Sequence, residues 1–93
     1  MRERSKIEAA VKTRHGTTTI NGEAIVTSGH RVRIMSRHFI PPGTPVDALL
    51  FFDEPERVPG RIGWAMATPR EDRVWYTMGF FVQSGMSISN DSQ

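Results

Sequence analysis

No cysteine occurs anywhere in the chain, so disulfides, zinc–thiolate centres and thiol catalysis are excluded at the outset. Long apolar runs are missing as well. Nothing approaches the ~20 residues that cross a bilayer as a helix, and the opening MRERSKIEAA is charged where a secretory signal would carry an apolar centre. The chain is accordingly read as soluble and cytoplasmic, with no membrane insertion. Histidine is sparse: His15, His30 and His38 stand at no metal-ligand spacing from one another. Carboxylates cluster only as Asp53-Glu54-Glu56 and Glu71-Asp72, both in turn-rich segments where solvated charge is the ordinary role. No glycine-rich loop leads into a helix to cradle a phosphate, and no serine, histidine and aspartate stand in a hydrolase context. No enzyme is expected, and no catalytic residue, metal site or cofactor is assigned.

What is present fits one small domain. A chain of 93 residues with 38% hydrophobic and 24% charged residues has the composition of an ordinary globular protein. The formal net charge is only +2, which speaks against nucleic acid as the partner unless charge is gathered locally.

The apolar pattern has a period of two. Ile7, Ala9 and Val11 alternate with Glu8, Ala10 and Lys12, and Val32 and Ile34 alternate with Arg31 and Arg33. Further strand-like runs are GEAIVTS, PVDALLFF, RVPGRIGWAMAT and RVWYTMGFFVQ. Leu49 to Phe52 is apolar on both parities, which predicts cover on both faces. Val58, Ile62 and Trp64 share one parity, with Pro59-Gly60 marking a bulge or an edge. Turn signals separate the runs: His15-Gly16, Ser28-Gly29, Pro41-Pro42-Gly43, Asp53-Glu54-Pro55 and Pro69 to Asp72. Asn21-Gly22 reads either as a two-residue hairpin turn or, preferably, as a glycine bulge within a longer strand that turns at His15-Gly16-Thr17. Six short strands in so small a chain predict an all-β, six-stranded antiparallel barrel, since closure removes exposed edges. Residues 1–6 form a basic, flexible N-terminal arm, 7–83 the barrel, and 84–93 a polar tail that is flexible or weakly docked.

Two features have binding chemistry. Arg2, Arg4 and Lys6 occupy alternate positions and, in an extended chain, project to one side about 6–7 Å apart. Arginine grips phosphate with two parallel hydrogen bonds and its flat fork stacks on a base. The second feature is Ser28-Gly29-His30-Arg31, a tight turn with a hydroxyl and two donors, in which Gly29 supplies tolerance for positive φ.

Together these segments resemble the PilZ family, a six-stranded barrel that binds the bacterial second messenger cyclic di-GMP. An arginine-rich arm leads into IEAAVKT. NGEAIVTSGHRVRI is similar to the family's Asp/Asn-x-Ser-x-x-Gly stretch, FIPPGTPVDALLFF to its Pro-x-Gly-x-x-Val segment, VPGRIGWAM to its Gly-x-Val-x-Trp strand, and YTMGFFV to its closing strand. The resemblance covers nearly all of the chain. It implies a ligand site formed by Arg2, Arg4, Lys6, Ser28 and Arg31. Lys6 stands where the family's Arg-x-x-x-Arg arm has its second arginine. Val26 stands at the Asp/Asn position and Arg31 at the final glycine, so Ser28 alone keeps its identity in the second motif.

The resemblance therefore implies a cyclic di-GMP effector with an altered site. Its alternative is a PilZ-like adaptor that binds no nucleotide and acts on another protein in motility, pilus or secretion control, with Met78, Phe80 or Phe81 as the apolar contact groups. A third reading is a barrel that binds single-stranded nucleic acid on Trp64, Trp75, Tyr76 and Phe81. The small net charge and the core-like setting of those aromatics count against it.

Overall fold

A period of two builds strands, because only an extended chain puts Ile7, Ala9 and Val11 on one side and their neighbours on the other. The computed structural model describes residues 3–52 and 54–88. Its strands are β1 (Glu3–Thr13), β2 (Gly16–Ser28), β3 (Arg31–Ser36), β4 (Pro45–Phe51), β5 (Glu56–Arg70) and β6 (Arg73–Val82). Every neighbouring pair is antiparallel, and the sheet closes in the order β1–β2–β3–β6–β5–β4, with β4 returning to β1. The fold is the expected six-stranded closed barrel.

The inward residues form one core. β1 supplies Ile7, Ala9 and Val11, β2 Ala24 and Val26, β3 Val32 and Ile34, β4 Val46, Ala48 and Leu50, β5 Val58 and Ile62, and β6 Met78 and Phe80. Small and large side chains are distributed so that the narrow interior fills: Ala9 and Ala48 are register partners, and the large Phe80 and Met78 come from the same strand. Each fully buried Val, Leu, Ile, Met or Phe contributes roughly 1.5–3 kcal/mol of transfer free energy. The two open ends are plugged. Beyond the end of β3 the 37–44 loop inserts the fully buried Ile40, whose N–H lies 3.3 Å from the Met78 sulfur. At the start of β3, Ile88 is 4% exposed and its N–H donates to the Gly29 carbonyl at 2.8 Å. The segment from 84 to 88 is thus packed against the barrel.

Several local expectations change. β1 begins at Glu3, so Arg4 and Lys6 lie in a paired strand, Arg4 opposite Ile25 and Lys6 between Glu23 and Phe51. Asn21-Gly22 is neither a turn nor a bulge. Gly22 pairs with Ile7 in unbroken register, and β1 turns into β2 at Arg14-His15. The β5 bulge falls at Gly63 instead of Pro59-Gly60: Ile62 pairs with Phe80, but Trp64 pairs with Gly79. One inserted residue reverses the facing of everything after it. Trp64 therefore points outward, although its sequence parity matches the buried Val58 and Ile62. Leu49 is half-buried and Phe51 exposed, so the outer face of β4 is only partly covered.

β5 and β6 run past the barrel as a two-stranded extension. β6 pairs with β3 only from Tyr76 to Phe81, and β5 pairs with β4 only up to Arg61. Beyond these limits the two strands pair with each other to Arg70 and Arg73.

Candidate functional site on the outer face of the barrel

The β2–β3 turn is built by local hydrogen bonding. A register shift between Val26 and Ser28 ends the ladder, and Ser28 then pairs with Arg31. The Ser28 hydroxyl accepts from the His30 N–H at 3.2 Å, and the Thr27 hydroxyl donates to the Arg31 carbonyl at 3.2 Å. Gly29 has no positive φ, so the conformational freedom expected of it is not used. The turn also carries a contact from the chain's own C-terminal segment. His30 Nδ1 donates to the Met86 carbonyl at 3.1 Å, and the His30 carbonyl accepts from Val82 at 2.9 Å.

Of the residues assigned from the sequence, Arg2 lies outside the described residues. Arg4, Lys6 and Arg31 are exposed and outward-facing, and Ser28 is half-buried at the turn. Arg31 and Ser28 are register partners. Arg4 joins them from β1, roughly 10 Å from Ser28 by strand spacing. Lys6 is not brought to this group. It sits opposite Glu23, five residues along β2 from Ser28, beside a shallow groove of about 360 Å³ with Glu8 and Phe51. Val26 is fully buried in the barrel core, so a carboxylate or amide there would face apolar side chains in this register.

The fold adds residues that the motif reading passed over. Register carries Arg4 through Ile25 to Arg33 and then to Gly79, so Arg33 extends the cationic group across the outer face. Arg31 pairs with Phe81 on β6, and its guanidinium carbon lies 5.5 Å from the ring centroid, within cation–π range. Phe81 pairs in turn with Arg61. Phe81 and Arg61 also line an open cleft of about 620 Å³ with Lys12, Asp47 and Gln83, a volume within the usual span of small-ligand sites. The signal for Arg33 and Arg61 was their outward parity. Their shared surface depends on strand order, which the pattern does not carry.

The apolar groups divide differently from expectation. Met78 and Phe80 are wholly buried and cannot form a partner surface, whereas Phe81 faces outward and is half-buried. Tyr76 shares the inward parity of Met78 and packs on the core, with Phe39 at 5.4 Å between ring centroids. Among the described residues, no three His, Asp or Glu side chains are grouped so as to hold a metal ion.

Comparison with family models, curated proteins and solved structures returns no match to this chain. The barrel and the site therefore stand on their own geometry.

Proposed function

We propose that this chain is a non-catalytic, PilZ-like binding module that takes cyclic di-GMP on the outer face of its barrel beside the β2–β3 turn. The observation that carries this reading is the grouping of Arg4, Ser28 and Arg31 around that turn, with Arg31 set against Phe81. In this reading Arg4 and Arg31 grip the two phosphates. Ser28, whose oxygen accepts from His30, keeps its own proton to donate to a guanine edge. The resemblance of PPGTPV, GRIGW and MGFFV to the family's segments supports the choice of ligand. A binding module of this kind passes its output to another protein.

Isothermal titration with cyclic di-GMP, with cyclic di-AMP and GTP as controls, tests the reading. Selective saturable binding that disappears in an Arg4→Ala, Arg31→Ala double variant is expected. Absence of heat and of thermal stabilisation at high ligand would exclude it.

A second reading, a nucleotide-free adaptor, is favoured by the apolar groups on the β5–β6 extension, where Met66 is 56% and Val74 49% exposed. Here a pull-down that loses its partner on Met66→Asp with Val74→Asp would decide in its favour.

A further inference from the structure

The outer face formed by β3, β6 and β5 has a charge pattern that the net charge of +2 conceals. Outward positions on these strands, from Arg57 onward in β5, include Arg31, Arg33, Arg61, Arg70 and Arg73, and no Asp or Glu. The outward carboxylates Glu8, Glu23 and Asp47 all lie on β1, β2 and β4. Glu71 and Asp72 mark the hairpin tip, where Asp72 approaches Arg73 at 3.9 Å between exposed side chains.

Aromatic rings interleave with the arginines. Phe81 stands over Gly63 and Trp64 over Gly79, each ring occupying the space a β-carbon would need. Trp75 lies further along β6, with the Arg70 guanidinium carbon 5.4 Å from its centroid. Counted along β6, Phe81 and the Gly79 position under Trp64 are about 7 Å apart, and Trp75 lies about 13 Å beyond. Met35, Met66 and Thr77 share the row between Trp64 and Trp75.

Arginines that meet phosphates, alternating with rings that meet bases, are the two parts of a single-strand binding surface. We propose that this face binds single-stranded nucleic acid, the strand running along β6 from Phe81 over Trp64 to Trp75. A duplex hides its base faces in its own stack and gains nothing from the rings. An acidic peptide uses the arginines but leaves the rings idle. The face shares Arg31 and Phe81 with the cyclic dinucleotide reading, but Arg61, Trp64 and Trp75 take no part in gripping that ligand, so variants at these positions separate the two.

Both tryptophans of the chain lie on this face, so intrinsic fluorescence reports on it directly. The full chain would be titrated with an oligothymidylate of ~12 nucleotides, inside the ~4–16 that one small barrel tracks. Parallel titrations would use the same length as duplex and a polyglutamate of matched charge. Quenching by the single strand is expected, with affinity falling linearly in log salt. In Arg33→Ala, Arg61→Ala that slope should shrink by about 1.4, which is ~0.7 for each phosphate no longer neutralised. Trp75→Ala, on the extension and away from the core, should weaken binding roughly 5- to 150-fold, the worth of one stacked base. Trp64→Ala should do the same, provided circular dichroism shows it folded. Absence of single-strand binding at low salt would overturn the proposal. So would equal binding of polyglutamate or duplex, or affinities indifferent to Trp75→Ala, which would leave a surface that reads charge alone.

Discussion

The Trp64 indole lies over Gly79, across the β5–β6 pair, in the volume that any larger residue at 79 would claim. Glycine at 79 and the bulge at Gly63 therefore act together. The bulge turns Trp64 outward, and the missing side chain at 79 gives it a seat. Gly79→Ala should push the indole off the sheet. A loss of about 1–3 kcal/mol in denaturant unfolding, the usual cost of overpacking, is expected. The tryptophan emission should shift to longer wavelength. Unchanged stability and emission would mean that the ring has free space elsewhere.

Ser36 is, among the described residues, the one hydroxyl with no exposed surface. It donates to the Asn21 carbonyl at 2.9 Å and accepts from the His38 N–H at 3.1 Å, tying the end of β3 to β2 and to the loop that inserts Ile40. Removing it leaves both partners short of a bond, which costs roughly 1–3 kcal/mol. Ser36→Ala should therefore lower the unfolding free energy by that amount. Ser28→Ala loses one exposed hydrogen bond, from the His30 N–H, and should cost about 0.5–1.5 kcal/mol, so its effect on ligand binding is read at a temperature where the variant is folded.

Ile88 closes one end of the barrel from a segment that reads as polar tail. Burying an isoleucine this completely is worth about 1.5–3 kcal/mol. Ile88→Ser should cost a comparable amount and speed hydrogen exchange at the residue 88 amide, which donates to the Gly29 carbonyl of the β2–β3 turn. A stable variant with unchanged protection at that amide would show that the docking contributes nothing.

Glu71 carries φ of 57°, the one left-handed residue among the described positions that is not glycine. That conformation costs an L-residue roughly 1–2 kcal/mol, of which glycine's extra unfolded-state freedom takes back about 0.4–1. Glu71→Gly should consequently stabilise the protein by roughly 0.5–1 kcal/mol, seen as a higher denaturation midpoint at unchanged m-value.

The sequence by itself determined the class of fold and much of its interior. Alternation at Ile7-Ala9-Val11 and Val32-Ile34 put these residues in the core because a strand has only two faces. Pro41-Pro42-Gly43 announced its turn because proline sets one dihedral and glycine accepts the next. Gly43 has φ of 91°, and Thr44 donates to Pro41 across it at 3.2 Å. Tertiary structure decided the rest. Parity cannot see a bulge, so Trp64 reversed its facing at Gly63. Polarity cannot see a partner, so Ile88 found a buried place in a polar tail. Above all, the order of strands around the barrel is not written in any one strand. It put Arg31, Arg33 and Arg61 on one face with Phe81 and Trp64, and left Lys6 opposite Glu23 on another. Charge and ring chemistry are properties of residues, but a site is a property of the register that closes the sheet.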